Sequence, residues 1–396
     1  MIPPVAKRRI AILGCTGSVG TQALSILEDH EDRFDVCMLA AHTAIAGLEA
    51  GAARHQPAVA CLTGTDGPAN LPAKSALFRG PEGLIAALEA SAPDTVLNAI
   101  TGAAGLAASE WTLRQGLSLA LANKESLVVA GEYLMALARD NGANILPVDS
   151  EHCAIFQCLN GEHRAAVQRV WLTGSGGPFR ERPLETFAAV TPAEALKHPT
   201  WSMGPRITIG SATMMNKAFE VVEARWLFDL SPDQIQVVIH PQSIVHSMVE
   251  FRDGSMLAQC GVPDMRVPIL YCLGYPDRLP FDFQPFDPIK WRALEFMPFE
   301  PSRYPAVALA YEAMERGGDA GCVLNAADEV ATTAFLDGQI GFHQITKIAA
   351  DVMRARPSLP LTSLQNVLDA DRDGRARATE IVRRSTADSP DGERDT

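Results

Sequence analysis

The apolar positions of the first 150 residues fall in short runs with helical stretches between them. Arg9 to Leu13, Asp35 to Ala40, Val59 to Leu62, Thr95 to Ile100 and Leu117 to Leu121 read as strands. A mostly apolar run from Ala143 to Leu146 reads as one more. Helical periodicity runs to about Glu28, with Ala23, Leu24, Ile26 and Leu27 on one face, and recurs around Pro81 to Ser91 and Gly105 to Gln115. Strands alternating with helices predict an α/β fold with a doubly wound parallel sheet.

Beyond residue 150 the pattern changes. Val167 to Thr173, Gln234 to His240, Ser243 to Phe251 and Ser255 to Cys260 read as strands, with Asp253-Gly254 as a hairpin turn. The last three are expected to pair antiparallel, in a central α+β domain. Thr191-Pro192-Ala193-Glu194 reads as a capping box with Pro at N1, and a helix is expected from Ser211 to about Phe228. Pro276 to Pro305 is rich in proline and aromatics and reads as a linker, and Ala306 to about Met353 as part of a C-terminal α-helical domain. The predicted organisation is 1–149, 150–275, a linker over 276–305, a helical domain over 306–384 and a disordered polar tail over 385–396.

A length of 396 residues fits two or three domains. A net charge of −13 argues against broad affinity for nucleic acid. Eight cysteines without a CxxC pair, and no secretory leader, predict reduced thiols in a cytoplasmic protein. No apolar run is long enough to span a bilayer, so no membrane partner is expected.

The first strand runs into Gly14-Cys15-Thr16-Gly17-Ser18-Val19-Gly20 and then a helix. Glycines let backbone approach a pyrophosphate, and a helix N-terminus supplies N–H donors, so a Rossmann-like dinucleotide site is expected here. The spacing is GxxGxxG rather than GxGxxG, so context carries the reading. The second strand ends in Ala41-His42-Thr43 with no carboxylate to hold a ribose 2′-hydroxyl, which favours NADPH. His42 either contacts the extra phosphate or is an exposed loop residue. Asn123-Lys124-Glu125 follows a later strand, where Lys124 would face cofactor and substrate, or else solvent.

Asp149 and Glu151 stand two apart after the strand ending near Leu146. An extended backbone would put both carboxylates on one side, where a hard cation such as Mg²⁺ or Mn²⁺ would relieve their repulsion. The alternative is that Asp149 or Ser150 caps the helix that follows. Ser175 lies among Gly174, Gly176 and Gly177, either an anion cradle or a flexible turn. His198 to Pro205 forms a loop that can close over a ligand, or a connector anchored by Trp201. Asn216, Lys217 and Glu220 share a helix face, expected as a surface patch, with Ser211 at the helix N-terminus. Ser175, Ser211, Asn216 and Lys217 together can hold a phosphate, and Glu220 can complete the carboxylate set. Asp369 to Glu380 fits a calcium-loop pattern, but Arg372, Arg375 and Arg377 oppose it, and a helix end or turn is the better reading.

The ordered motifs GCTGSVG, ANKES, PVDSEH, LTGSGGPF, KHPTWSMG and SATMMNKAFE resemble those of the 1-deoxy-D-xylulose 5-phosphate reductoisomerases of the non-mevalonate isoprenoid pathway, from about Arg9 to Asn325. The resemblance implies rearrangement of 1-deoxy-D-xylulose 5-phosphate, reduction by NADPH to 2-C-methyl-D-erythritol 4-phosphate, and a homodimer joined through strands of 150–275. It implies divalent-metal ligands at Asp149, Glu151 and Glu220, with Mg²⁺, Mn²⁺ or Co²⁺ as the ion. Substrate contacts are implied at Lys124, Ser150, Glu151, Ser175, His198, Trp201, Ser211, Asn216, Lys217 and Glu220. Cofactor contacts are implied at Thr16, Gly17, Ser18, Val19, Asn123, Glu125 and Gly204, and Trp201 looks like a flap residue. Catalysis would fall to Lys124, Asp149, Glu151, Glu220 and His198. Two departures stand out: Gly-Lys-Asn is usual where this chain has Ala41-His42-Thr43, and an aspartate commonly occupies the place of Gly210. An ordinary NADP-dependent dehydrogenase and a non-enzymatic NADP(H)-binding regulator are the competing readings, separated by metal dependence and by turnover.

Overall fold

The computed structural model describes residues 7–197 and 204–387. His198, Trp201 and the tail from residue 388 lie outside them. The chain divides into two compact units, one of Met1–Ser126, Leu134–Glu162 and Ala258–Asp287, the other of Leu127–Tyr133, His163–Leu257 and Pro288–Thr396.

The first unit is built on seven strands: β1 (Arg8–Leu13), β2 (Phe34–Ala41), β3 (Val59–Leu62), β4 (Ala76–Arg79), β5 (Thr95–Asn98), β6 (Ser118–Leu121) and β7 (Asn144–Pro147). They lie in the order β4-β3-β2-β1-β5-β6-β7, and every neighbouring pair is parallel. β3 and β5 are buried along their whole length and β2 at all but Asp35, as strands covered on both faces must be. The order reverses between β1 and β5, and the loops at the carboxyl ends there are where such sheets receive ligands. β4 was not anticipated: its four residues are half-exposed and too few to show a period. Helix Arg266–Gly274 was also missed. It is buried continuously from Pro268 to Gly274, so no polar face marks it as helical. Its Cys272 Sγ donates to the Pro147 carbonyl at 3.1 Å, at the end of β7.

A second sheet, mostly of the second unit, holds β8 (Val167–Gly174), β9 (Ile235–Ile239), β10 (Val245–Phe251) and β11 (Met256–Cys260), in the order β11-β10-β8-β9. β10 and β8 are antiparallel, but β8 and β9 are parallel, so the sheet is mixed and not the purely antiparallel one expected. The connection from β8 to β9 contains helices Pro205–Ala212 and Met215–Phe228, long enough for the crossover that parallel pairing requires. Residues 288–304 carry no helix yet are pinned down: Met297 and Ile239 form an antiparallel bridge, and Gln242 Nε2 donates to the Ala293 carbonyl at 2.8 Å.

Helices Pro305–Arg316, Ala320–Leu336, Phe342–Arg354 and Leu364–Ala387 follow. The stretch with the calcium-loop pattern lies inside the last helix and is neither an ion loop nor a helix end. Its carboxylates pair one helical turn apart with its arginines, Asp371 with Arg375 at 2.7 Å and Asp373 with Arg377 at 2.8 Å. The same helix carries residues 385–387, expected in the disordered tail. Among the described residues no helix is long and apolar enough to cross a membrane. All eight cysteines are free.

Candidate active site

In the first unit the glycine-rich turn folds as its context requires. Gly14 has φ +78°, and a Cβ there would lie 2.6 Å from the Ala99 carbonyl oxygen, so only glycine fits between β1 and the loop after β5. Gly17 caps helix Ser18–Glu28 without a side-chain bond. The first N–H groups of that helix, from Ser18 and Val19 onward, have no intrahelical acceptor, the arrangement that suits an anion. Thr16 packs its methyl against Gly47 of the neighbouring helix Ile45–His55. Cys15, inside the turn, is buried, and burial pushes its thiol up to about 12, so it fills space rather than reacting. Ala41 ends β2 and is buried. His42 is exposed, with Nδ1 3.0 Å from Thr63 Oγ1.

Two asparagines, one at the end of β5 and one just after β6, organise the switch-point loops. Asn123 is buried and donates to the carbonyls of Ile100 at 2.5 Å and Gly102 at 3.0 Å, and its Oδ1 accepts from the Ser126 backbone at 3.0 Å. A further bond, at 3.2 Å, reaches Glu125 Oε2. Its amide is thus committed to holding loops. Asn98 was not singled out in the sequence. It donates to the Gly105 carbonyl and to Ser109 Oγ, both at 2.8 Å. An asparagine closing an otherwise apolar strand was the signal that could have found it.

Lys124 is itself the residue that precedes helix Glu125–Asn141, and its Nζ lies 2.7 Å from Asp149 Oδ2. Asp149 caps helix Ser150–Cys158, its Oδ1 accepting from the Glu151 N–H at 3.2 Å. The extended geometry considered for Asp149–Glu151 is therefore not what occurs. Glu151 is in the first turn of the helix, and the cap, not a strand pleat, brings the two residues together. Ser150 Oγ donates to Glu151 Oε2, and His152 Nδ1 lies 3.7 Å from Asp149 Oδ1. The cap uses one oxygen of Asp149, and Lys124 faces the other.

In the second unit, β8 ends at Gly174 and the chain turns through Ser175. Gly176 and Gly177 have φ of +80° and +64°. A Cβ at Gly177 would sit 2.7 Å from the Ser211 carbonyl oxygen, and one at Gly174 3.1 Å from Lys217 Cε. The loop of Ser175 is therefore packed directly on the elements that carry Ser211 and Lys217. Tyr304 Oη donates to the Gly176 carbonyl at 2.8 Å and fixes the turn.

The helix expected from Ser211 is two helices. Gly204 caps the first, Pro205–Ala212, and Met214, with φ +61°, breaks the chain before Met215–Phe228. Ser211 is thus in the last turn of one helix rather than at the N-terminus of another, and a helix dipole does not account for its placement. The expected surface patch is also corrected. Lys217 and Glu220 are buried and form a close ion pair one turn apart, while Asn216 is half-buried. Glu223, a turn further on, is buried as well.

Family models describing 1-deoxy-D-xylulose 5-phosphate reductoisomerase match residues 10–131 and, for its C-terminal domains, 145–228 and 260–377. The chain belongs to the 1-deoxy-D-xylulose 5-phosphate reductoisomerase family. It is 47% identical over 381 residues to the enzyme of that name from Anaeromyxobacter dehalogenans, covering 95% of this chain and 97% of the relative. It is 45% identical over 380 residues to that from Geobacter metallireducens, covering 95% and 99%. A solved reductoisomerase from Zymomonas mobilis in complex with NADPH superposes with a TM-score of 0.89 at 38% identity, over 95% of this chain and 99% of that one. Another, a DOX-P reductoisomerase in complex with NADPH, fosmidomycin and magnesium, gives 0.88 at 36% identity over 95% and 98%.

Proposed function

We infer that the protein converts 1-deoxy-D-xylulose 5-phosphate to 2-C-methyl-D-erythritol 4-phosphate, with NADPH as reductant and a divalent metal ion. Family membership along nearly the whole chain carries the reading. The pairing of Lys124 with a helix-capping Asp149 at the carboxyl edge of the sheet supports it. The donor set fits a hard cation: Asp149, Glu151 and Glu220 offer only carboxylate oxygens. These three are assigned as its ligands, and the ion when bound would polarise the ketone and adjacent hydroxyl.

The chain's own residues divide the remaining work. Ser175, Ser211, Asn216 and Lys217 hold the phosphate. Ser150 and Glu151 orient the substrate's hydroxyls, and Lys124 supplies a proton donor near the reacting carbons. Thr16, Gly17, Ser18 and Val19 receive the pyrophosphate of NADPH, and Ala41, His42 and Thr43 face its 2′-phosphate. Asn123 and Glu125 act through the loop they brace, and Gly204 meets the cofactor. His198 and Trp201 are assigned to substrate contact from the resemblance. A cytoplasmic homodimer is proposed as well. The edge strand β11 supports it, with Met256 and Leu257 exposed at 47% and 42%.

The test is NADPH oxidation by the purified protein with 1-deoxy-D-xylulose 5-phosphate and Mg²⁺ or Mn²⁺, repeated with excess EDTA. Metal-dependent oxidation that yields the branched polyol phosphate is expected. Oxidation that survives EDTA, or NADPH binding without turnover, would reject it.

A further inference from the structure

Helices Pro205–Ala212 and Met215–Phe228 meet at a tight corner. Thr213 Oγ1 donates to the Ile209 carbonyl at 3.1 Å and accepts from the Met215 N–H at 3.3 Å, while Met214 takes the left-handed conformation. Across this corner Asn216 Nδ2 donates to the Ile207 carbonyl at 2.8 Å. A carbonyl inside a helix already has a partner four residues ahead, so this bond is an addition to the helix and not a repair of it.

Asn216 reaches Ile207 because position 210 has no side chain. A Cβ on Gly210 would lie 2.5 Å from Asn216 Oδ1 and 3.0 Å from its Cγ, well inside the usual 3.5–4.0 Å of non-bonded contact. Gly210 has no positive φ, so its backbone does not call for glycine. Glycine within a helix is unfavourable relative to alanine. What the missing side chain does provide is room for the Asn216 amide.

Resting on the assignment of Asn216 to the substrate phosphate, we propose that Gly210 creates a parking position for Asn216. In the unliganded protein the amide rests on the Ile207 carbonyl. It leaves that carbonyl to meet the phosphate, so residue 210 sets how much binding free energy goes into releasing it. Gly210 is in this sense a positioning residue that tunes substrate affinity. A side chain at 210 evicts the amide and leaves it free for phosphate before substrate arrives.

Gly210→Ala is expected to lower KM for 1-deoxy-D-xylulose 5-phosphate by about two- to tenfold, the value of one released hydrogen bond, with kcat little changed. In an Asn216→Ala background the same substitution should leave KM where it is. An unchanged or raised KM in the single variant, or the same factor in both backgrounds, would overturn the proposal. A second measurement does not depend on turnover: the side-chain amide signals of ¹⁵N-asparagine-labelled protein, with Asn216 assigned by its absence in Asn216→Ala. In the wild type they should move on adding inorganic phosphate, and Gly210→Ala should already lie towards the phosphate-bound position. Signals that stay put with phosphate would mean the amide is not parked. Absence of any wild-type turnover would remove the reductoisomerase reading, and the amide signals would still decide the parking.

Discussion

Replacing Lys217 by methionine tests both the energetics and the chemistry of the second unit. The Lys217 and Glu220 side chains are 4% and 6% exposed and form an ion pair on adjacent turns of helix Met215–Phe228. Methionine keeps most of the volume and removes the charge. Breaking one partner of a buried pair strands the other charge, at a cost of about 3–5 kcal/mol. Replacing both partners by apolar residues removes both charges, so Lys217→Met/Glu220→Leu should recover most of that loss. Urea unfolding followed by circular dichroism, in EDTA so that no metal masks the carboxylate, measures all three proteins. A single variant that loses less than about 1 kcal/mol, or a double variant no more stable than the single, would refute the reasoning. On the functional side, KM for the phosphorylated substrate should rise steeply in Lys217→Met while NADPH affinity is unchanged. A normal KM would take Lys217 out of the phosphate site.

Glu220→Gln should reduce turnover severely and leave NADPH binding, followed by fluorescence, nearly intact; retained turnover would remove Glu220 from the metal set. His240 is buried, with Nδ1 2.7 Å from the Glu295 carbonyl oxygen and Nε2 accepting from the Ile244 and Val245 N–H groups, each at 3.1 Å. Burial holds its pKa below the ordinary 6.5. Above that value neither state is protonated and its contribution is complete; as pH falls below it, the unfolded chain takes the proton first and stability is lost down to the folded value. The urea midpoint should therefore fall on acidification below about pH 6.5, and this slope should shrink in His240→Gln; an identical slope would count against it. Of the eight thiols only Cys260 is partly exposed, and burial pushes Cys37 up to about 12 and Cys61 and Cys158 to about 11. A thiol reagent near neutral pH should modify at most Cys260 quickly in the folded protein and all eight after denaturation; rapid loss of several would contradict the packing.

Six of the seven strands of the first unit, all but half-exposed β4, were legible because a covered parallel strand is largely apolar, and β3 was read to the residue. So was the capping box at Thr191, where Thr191 and Glu194 exchange both bonds. Three further features could not be read. Asp149 and Glu151 suit an extended strand end as well as a capped helix, since either needs a polar residue after Pro147. The corner at Met214 was hidden because nothing in a Met-Met pair announces a positive φ, and the run from Ser211 scans as unbroken helix. The burial of Lys217 and Glu220 was missed because charged residues on one helix face ordinarily mean solvent. Only the tertiary packing shows that this helix is enclosed on nearly every side.

The first unit is discontinuous along the chain, and this bears on the order in which it can form. Its core includes Ile269 to Leu273 together with Ile10, Leu39 and Leu97. Arg8, at the start of β1, donates to the carbonyls of Leu273 at 2.6 Å and Tyr275 at 3.1 Å. During synthesis the seven-stranded sheet is complete once β7 leaves the ribosome, yet a face of it stays uncovered until more than a hundred further residues have emerged. The nascent sheet must spend that interval exposed, a state prone to association. A gene truncated after residue 149 would make that exposure permanent, and its product should accumulate as aggregate unless a segment spanning Ala258–Asp287 is supplied beside it.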